Sequence, residues 1–206
     1  MTLHSPALRP LALALLLPAG ACLAQPPALP TLQQAQDAMD LAFAEQLGKR
    51  PRSASSSLVA LAFRPTLESL SSCAAGATEG SATCIATGSA GMDSRNHLLH
   101  LAWVDGQWTL PDPRRLPMPA PSPDQVQPLL RAHLATVAAR ETDAGERERF
   151  VLAARDVQVL HVTDCEVAYR RAVFECAVTA RVGNEEGTET LAFIREDGQW
   201  RTAPAP

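Results

Sequence analysis

Towards the C-terminus, Phe174, Cys176, Val178, Ala180 and Val182 alternate with Glu175, Thr179 and Arg181. A period of two with one apolar side is the pattern of a strand buried on one face. The flanking segments extend it. Val157 to Val167 is predicted as the preceding strand, and Thr188 to Arg195 as the next, after turn signals from Gly183 to Gly187. Asp197-Gly198 supplies a hairpin turn into Gln199 to Thr202, because Asp-Gly readily takes left-handed backbone conformations. Trp200 is the expected closing anchor of this sheet. Ahead of the strands the period changes. Val126, Leu129, Leu130, His133 and Leu134 recur at i, i+3, i+4, i+7 and i+8, which gives a helix one apolar stripe. Ser122 and Gln125 frame its start as a capping box, with Pro123 at the first helical position, where a missing N–H costs nothing. Gly145 to Ala154 is predicted as a short second helix.

The same succession occurs earlier in the chain. Cys73 and Cys84 precede Cys165 and Cys176 by 92 positions, and Asp105-Gly106-Gln107-Trp108 precedes Asp197-Gly198-Gln199-Trp200 by the same offset. Leu99 and Leu101 match Leu191 and Phe193 in that frame. One residue out of frame, Thr31 and Gln34 repeat the capping box, and Ala35, Ala38, Met39, Ala42 and Phe43 repeat the helical stripe. An internal duplication of a unit of about 80 residues accounts for all of these matches. Between the copies, Pro111, Pro113, Pro117, Pro119, Pro121 and Pro123 form a connector that tends to extended polyproline conformation, a semi-rigid spacer. The predicted organisation is a first unit over 25–110, a Pro-rich linker over 111–121 and a second unit over 122–206.

Residues 1–24 read as an export signal. A weakly basic start with His4 and Arg9 leads into the apolar run Leu11 to Leu17, which Pro18 and Gly20 break before a stretch of small residues. The predicted cut follows Ala24 and leaves Gln25 at the terminus. A lipoprotein leader acylated at Cys22 is the alternative, although Ala19 stands where a lipobox wants leucine. No later segment is long and apolar enough to span a bilayer. The expected location is therefore periplasmic or secreted, or anchored to the membrane through Cys22.

The four remaining cysteines form an even set suited to an oxidising compartment. Three pairings are possible, and the equal spacing in the two copies favours Cys73–Cys84 and Cys165–Cys176. A cross-strand ring of about 12 residues is worth roughly 3 kcal/mol on the chain-entropy estimate. Short cysteine knuckles for zinc and a Cys-x-x-Cys redox site are both missing.

A capped helix followed by a curled four-stranded antiparallel sheet, ending in Leu191 to Trp200 and echoed by Leu99 to Trp108, resembles the cystatin-like and nuclear-transport-factor-like folds of small exported bacterial proteins. The resemblance implies an α+β fold used in tandem, each sheet curling into a cone around its helix. It licenses no function by itself.

Formal net charge is −4, and loss of Arg9 with the leader makes it one unit more negative. Nucleic-acid binding needs a concentrated basic face, so that class is disfavoured. His97 and His100 lie three apart on a predicted strand, point to opposite faces and cannot share a metal ion. His133 on the helix stripe and His161 on a strand are expected to be half-buried and hydrogen-bonded. Related cone folds include enzymes with a histidine and an aspartate inside the cone. His133 is the matching candidate, but no carboxylate falls beside it in register. Ser53 to Ser57 is a polar loop and not a nucleophile elbow. No catalytic, metal or cofactor motif emerges.

The first copy has Ala82, Ala86, Gly88 and Ala90 where the second has Phe174, Val178, Ala180 and Val182. Ala86 and Gly88 either floor a hollow that accepts a ligand or mark a drifted repeat with a thinner core. Arg170 and Arg171, at a hairpin tip, are a candidate contact for an acidic partner. The leading expectation is a non-enzymatic exported protein that binds another periplasmic or envelope protein, as an inhibitor or immunity factor would. The alternatives are a small ligand held in the cone of the first copy, and an enzyme using His133.

Overall fold

The computed structural model describes residues 28–49, 63–91, 93–112 and 116–204. The leader with Cys22 and Gln25, and the Ser53 to Ser57 segment, lie outside these residues. In the first copy, helix α1 (Leu32–Gly48) is followed by β1 (Thr66–Ala75), β2 (Ser81–Ala90), β3 (Asp93–Val104) and β4 (Gln107–Thr109). In the second, helices α2 (Pro123–Arg140) and α3 (Ala144–Asp156) precede β5 (Gln158–Val167), β6 (Phe174–Val182), β7 (Glu185–Glu196) and β8 (Gln199–Thr202). Each copy forms a four-stranded sheet in sequential order, antiparallel throughout. The fold is α+β with repeated halves, and each half carries one disulfide, Cys73–Cys84 and Cys165–Cys176.

The repeat extends to backbone detail. Both capping boxes form: the Thr31 hydroxyl accepts from Gln34 N–H and the Gln34 side chain from Thr31 N–H, and Ser122 and Gln125 do likewise. β1 shifts register between Leu67 and Ser69 and again between Ser71 and Ala74; β5 does so between Val159 and His161 and between Thr163 and Glu166, the same positions one repeat on. Ser72 and Asp164 take positive φ (50° and 49°) within the second pair of bulges. Asp105-Gly106 and Asp197-Gly198 have positive φ at both residues, the geometry that matches the twist of a tight hairpin.

One polar repeat escapes the sequence comparison. Gln36 of α1 accepts from Leu67 N–H (2.7 Å) through Oε1 and donates to the Pro65 carbonyl (3.2 Å) through Nε2. Gln127 of α2 treats Val159 N–H (2.7 Å) and the Val157 carbonyl (2.7 Å) the same way. β1 and β5 are edge strands, so backbone groups beneath the helix lack a ladder partner, and the glutamine amide supplies it.

Among the described residues, two apolar clusters hold the fold. The first joins Ala35 and Ala38 of α1 to Ala82, Ala86, Leu99, Leu101 and Trp108. Small residues on both surfaces let α1 sit close to its sheet. The second cluster is larger and centres on Val126, Phe174, Phe193 and Trp200, with Phe174 and Trp200 edge to face at 5.1 Å. It also contains Ile85, with Leu98 packed against it, and both belong to the first copy. Ile85 and Leu98 are paired across β2 and β3 on the face away from α1. Their counterparts, Ala177 and Thr190, are half-buried and exposed. The outer face of the first sheet therefore helps to build the core of the second copy, while the outer face of the second sheet meets solvent. Polar contacts tighten the junction: Asn96 Nδ2 donates to the Ala168 and Tyr169 carbonyls (both 3.1 Å), and Ser72 Oγ accepts from Arg195 N–H (3.2 Å).

Two expectations need correction. The sheets do not curl into cones. A sheet wraps to cover a bulky helix, but the buried residues of α1 are Ala35 and Ala38, and part of the second core is covered by Ile85 and Leu98 instead of by its own sheet. The turn expected over Gly183 to Gly187 is only Gly183-Asn184, because Val182 pairs with Glu185 and the strand resumes at once. The expected second helix of the second copy is present and slightly longer, Ala144–Asp156, started by Asp143 as N-cap.

Candidate binding clefts

The described histidines do not assemble a site. His97 and His100 face opposite sides of β3, His97 at a cleft beside β1 and His100 at the junction with the second copy. His133 and His161 are both exposed, which overturns the half-buried, hydrogen-bonded expectation. Along α2 the inward row is Val126, Leu130, Leu134 and Ala138, strictly four apart, and His133 sits one position to its side. At His161 the bulge after Val159 breaks the alternation and turns the imidazole outward. Among the described residues no group of three or more His, Cys, Asp or Glu is placed to hold a metal ion.

Arg170 is exposed, whereas Arg171 is half-buried and donates to the Pro204 carbonyl at 2.6 Å. The hairpin that carries them is docked, not free. Its Ala168 and Tyr169 carbonyls accept from Asn96, and the Arg95 guanidinium lies 5.5 Å from the Tyr169 ring centre. Ala86 is buried in the first cluster beside Ala35 and Ala38. Gly88 lies where β1 approaches closely: a Cβ there would stand 2.9 Å from the Thr66 carbonyl oxygen and 3.1 Å from a Leu67 methyl.

Gly88 also lines a cleft of about 220 Å³ at the open end of the first copy, together with Met39, Leu67, Asp93, Arg95 and His97. The second copy has a cleft of about 340 Å³ in the equivalent place, walled by Leu130, Leu134, Val157, Val178, Ala180 and Leu191. The two clefts share a frame and differ in rim charge. Asp93, Arg95 and His97 are replaced one repeat on by Glu185, Gly187 and Glu189, and Glu186 adds a further carboxylate to the second rim. In the first cleft Arg95 is 3.2 Å from Asp93 and is neutralised there. In the second, Glu185, Glu186 and Glu189 form no ion pair with any described residue. Arg181 is the cross-strand neighbour of Glu186, but its guanidinium donates to Gln158 at 2.7 Å. An apolar channel rimmed by three exposed carboxylates suits a cationic group with an apolar body. Neither the sequence alternation nor the repeat exposed this site, because Glu185 and Glu186 fell in a segment read as a turn and left Glu189 as a single carboxylate on the next strand.

Comparison with known proteins adds no relative: no protein-family model, no characterised protein and no solved structure matches this chain. The two disulfides are consistent with a secreted or periplasmic protein. No helix among the described residues is long and apolar enough to cross a membrane.

Proposed function

We propose that this is a non-catalytic exported protein whose second copy grips a basic, partly apolar segment of another envelope or secreted protein. The observation that carries this reading is the acidic rim of Glu185, Glu186 and Glu189 over an apolar cleft, in a position where the first copy is charge-neutralised. Duplication kept the scaffold in both copies, and a difference in surface charge between them lies at this cleft. The rim supplies steering and choice of partner, and the walls of Leu130, Leu134 and Leu191 supply burial. The described histidines assemble no proton-transfer pair, which favours binding over catalysis.

Affinity purification from the periplasm with the wild-type protein and with Glu185→Gln/Glu189→Gln tests the reading, followed by titration of each captured protein in purified form. The expected partner binds the wild type in a salt-sensitive way and the double variant at least about five-fold more weakly, since exposed charge pairs are each worth up to about 1 kcal/mol. A synthetic peptide alternating lysine and leucine should compete with it. A partner that binds both proteins equally, or a turnover by the isolated protein, overturns the proposal.

A further inference from the structure

A cavity of about 420 Å³ lies at the junction of the copies and is separate from the acidic cleft. Its floor is the outer face of the first sheet at Thr83, His100 and Ala102; the connector closes one side with Leu116 and Met118, and Arg195 enters from β7 of the second copy. Neither copy alone forms it. The walls are mainly apolar, and Leu116 and Met118 remain 38% and 40% exposed at its mouth.

Arg195 is the unusual residue here. At the equivalent position the first copy has Trp103, which packs edge to face on Trp108 at 5.4 Å. Arg195 lies over the matching Trp200, its guanidinium carbon 4.9 Å from the ring centre. The group is half-buried, and its Nε is buried without a hydrogen-bond partner. Among the described residues its one side-chain hydrogen bond is a long one, Nη1 to Thr83 Oγ1 at 3.3 Å. No carboxylate among the described residues lies within ion-pair distance of it. Burial pulls both Arg195 and the half-buried His100 below their usual pKa, the direction expected of cationic groups that lack a counter-charge. A buried cation is normally paired, and a guanidinium pairs best with a carboxylate.

We infer that this junction cavity binds a small apolar carboxylic acid, its carboxylate on Arg195 and its hydrocarbon part against Leu116, Met118 and the prolines Pro111, Pro117 and Pro119. The volume falls at the small end of the range for ligand pockets, which suits a short chain or a single ring. The site is independent of the protein-binding cleft: Glu185 and Glu189 do not line it, so failure of either proposal leaves the other standing.

Titration of the delipidated full-length mature protein with octanoate and with octan-1-ol, by calorimetry, tests the inference. Octanoate should bind saturably with one site, and octanol at least about ten-fold more weakly, because a hydrogen bond to a charged group is worth about 1.5–3 kcal/mol. Arg195→Gln should weaken octanoate by about ten-fold or more and leave octanol unchanged. Ala102→Leu fills the cavity without touching the charge and should abolish both, with thermal melts confirming that each variant is folded. A peptide C-terminus offers the same chemistry, so acetyl-dileucine is compared with its amide. No binding of octanoate to the wild type, equal binding of octanoate and octanol, octanoate affinity unchanged in Arg195→Gln or Ala102→Leu, or the peptide acid binding more tightly than octanoate overturns the assignment.

Discussion

Replacing Ile85 by alanine should destabilise the copy to which Ile85 does not belong. Its side chain is fully buried in the cluster of Phe174, Cys176, Phe193 and Trp200, all from the second copy. Removing a fully buried isoleucine side chain beyond Cβ costs about 2–5 kcal/mol, transfer and cavity terms together. The upper part of that range applies where rigid neighbours cannot collapse, and Phe174 and Phe193 are themselves fully buried. In hydrogen exchange, openings of β6 and β7 that separate them from the first sheet should become roughly 30-fold to several-thousand-fold more frequent. The assay is native-state exchange on the oxidised protein, comparing amides of β6 in Ile85→Ala and in the wild type. Thr190→Ala, at the position equivalent to Leu98 but facing solvent, is the control and should change stability by less than about 0.5 kcal/mol. If protection falls in β2 and β3 while β6 and β7 are unchanged, the copies are energetically separate and the shared-core account is wrong.

Three further outcomes follow from particular contacts. Gln127→Leu leaves Val159 N–H and the Val157 carbonyl without their side-chain partner, and should lower stability by about 1–3 kcal/mol in urea unfolding. Gly88→Ala puts a Cβ 2.9 Å from the Thr66 carbonyl and should cost about 1–3 kcal/mol, read as a lowered midpoint with an unchanged urea slope. The hydrogen bonds from Arg64, helped by Gln36, hold the Asp40 carboxyl below its usual range, so its contribution is complete above the unfolded value near 3.8 and is lost as pH falls through the lower folded value. Asp40→Asn should therefore reduce the loss of stability on acidification below about pH 4, by a small margin because Arg64 is exposed; an unchanged acid limb refutes the pairing.

Much of each copy was legible because its signals are local. A capping box spans four residues, an Asp-Gly turn two, and a strand announces itself within five alternating positions. Comparing the copies also favoured one of three disulfide pairings, and the bonds Cys73–Cys84 and Cys165–Cys176 follow it. The misreadings came where alternation fails. The bulge after Val159 turned His161 outward, and the two-residue turn at Gly183-Asn184 put Glu185 and Glu186 in a strand. A bulge changes phase without changing composition, so period counting passes over it. Gln36 and Gln127 were invisible for a different reason: their amides act on strand groups about 30 residues away, and their own helical neighbours do not reveal it.

By itself the sequence determined that one helix-and-sheet unit is used twice, where its capped helices begin and how its Asp-Gly hairpins turn, and it favoured one cysteine pairing of three. These depend on residues close in the chain or on the arithmetic of two copies. Tertiary structure alone decided which of two similar sheets is covered on its outer face, and so why Ile85 and Leu98 pack into the second core while Ala177 is half-buried and Thr190 faces water. It also decided that Arg195 reaches Ser72 and Thr83, 123 and 112 residues away, at the rim of a cavity neither copy forms alone. Packing of one copy on the other is set by the complementarity of whole surfaces, and no period along a single chain encodes that choice.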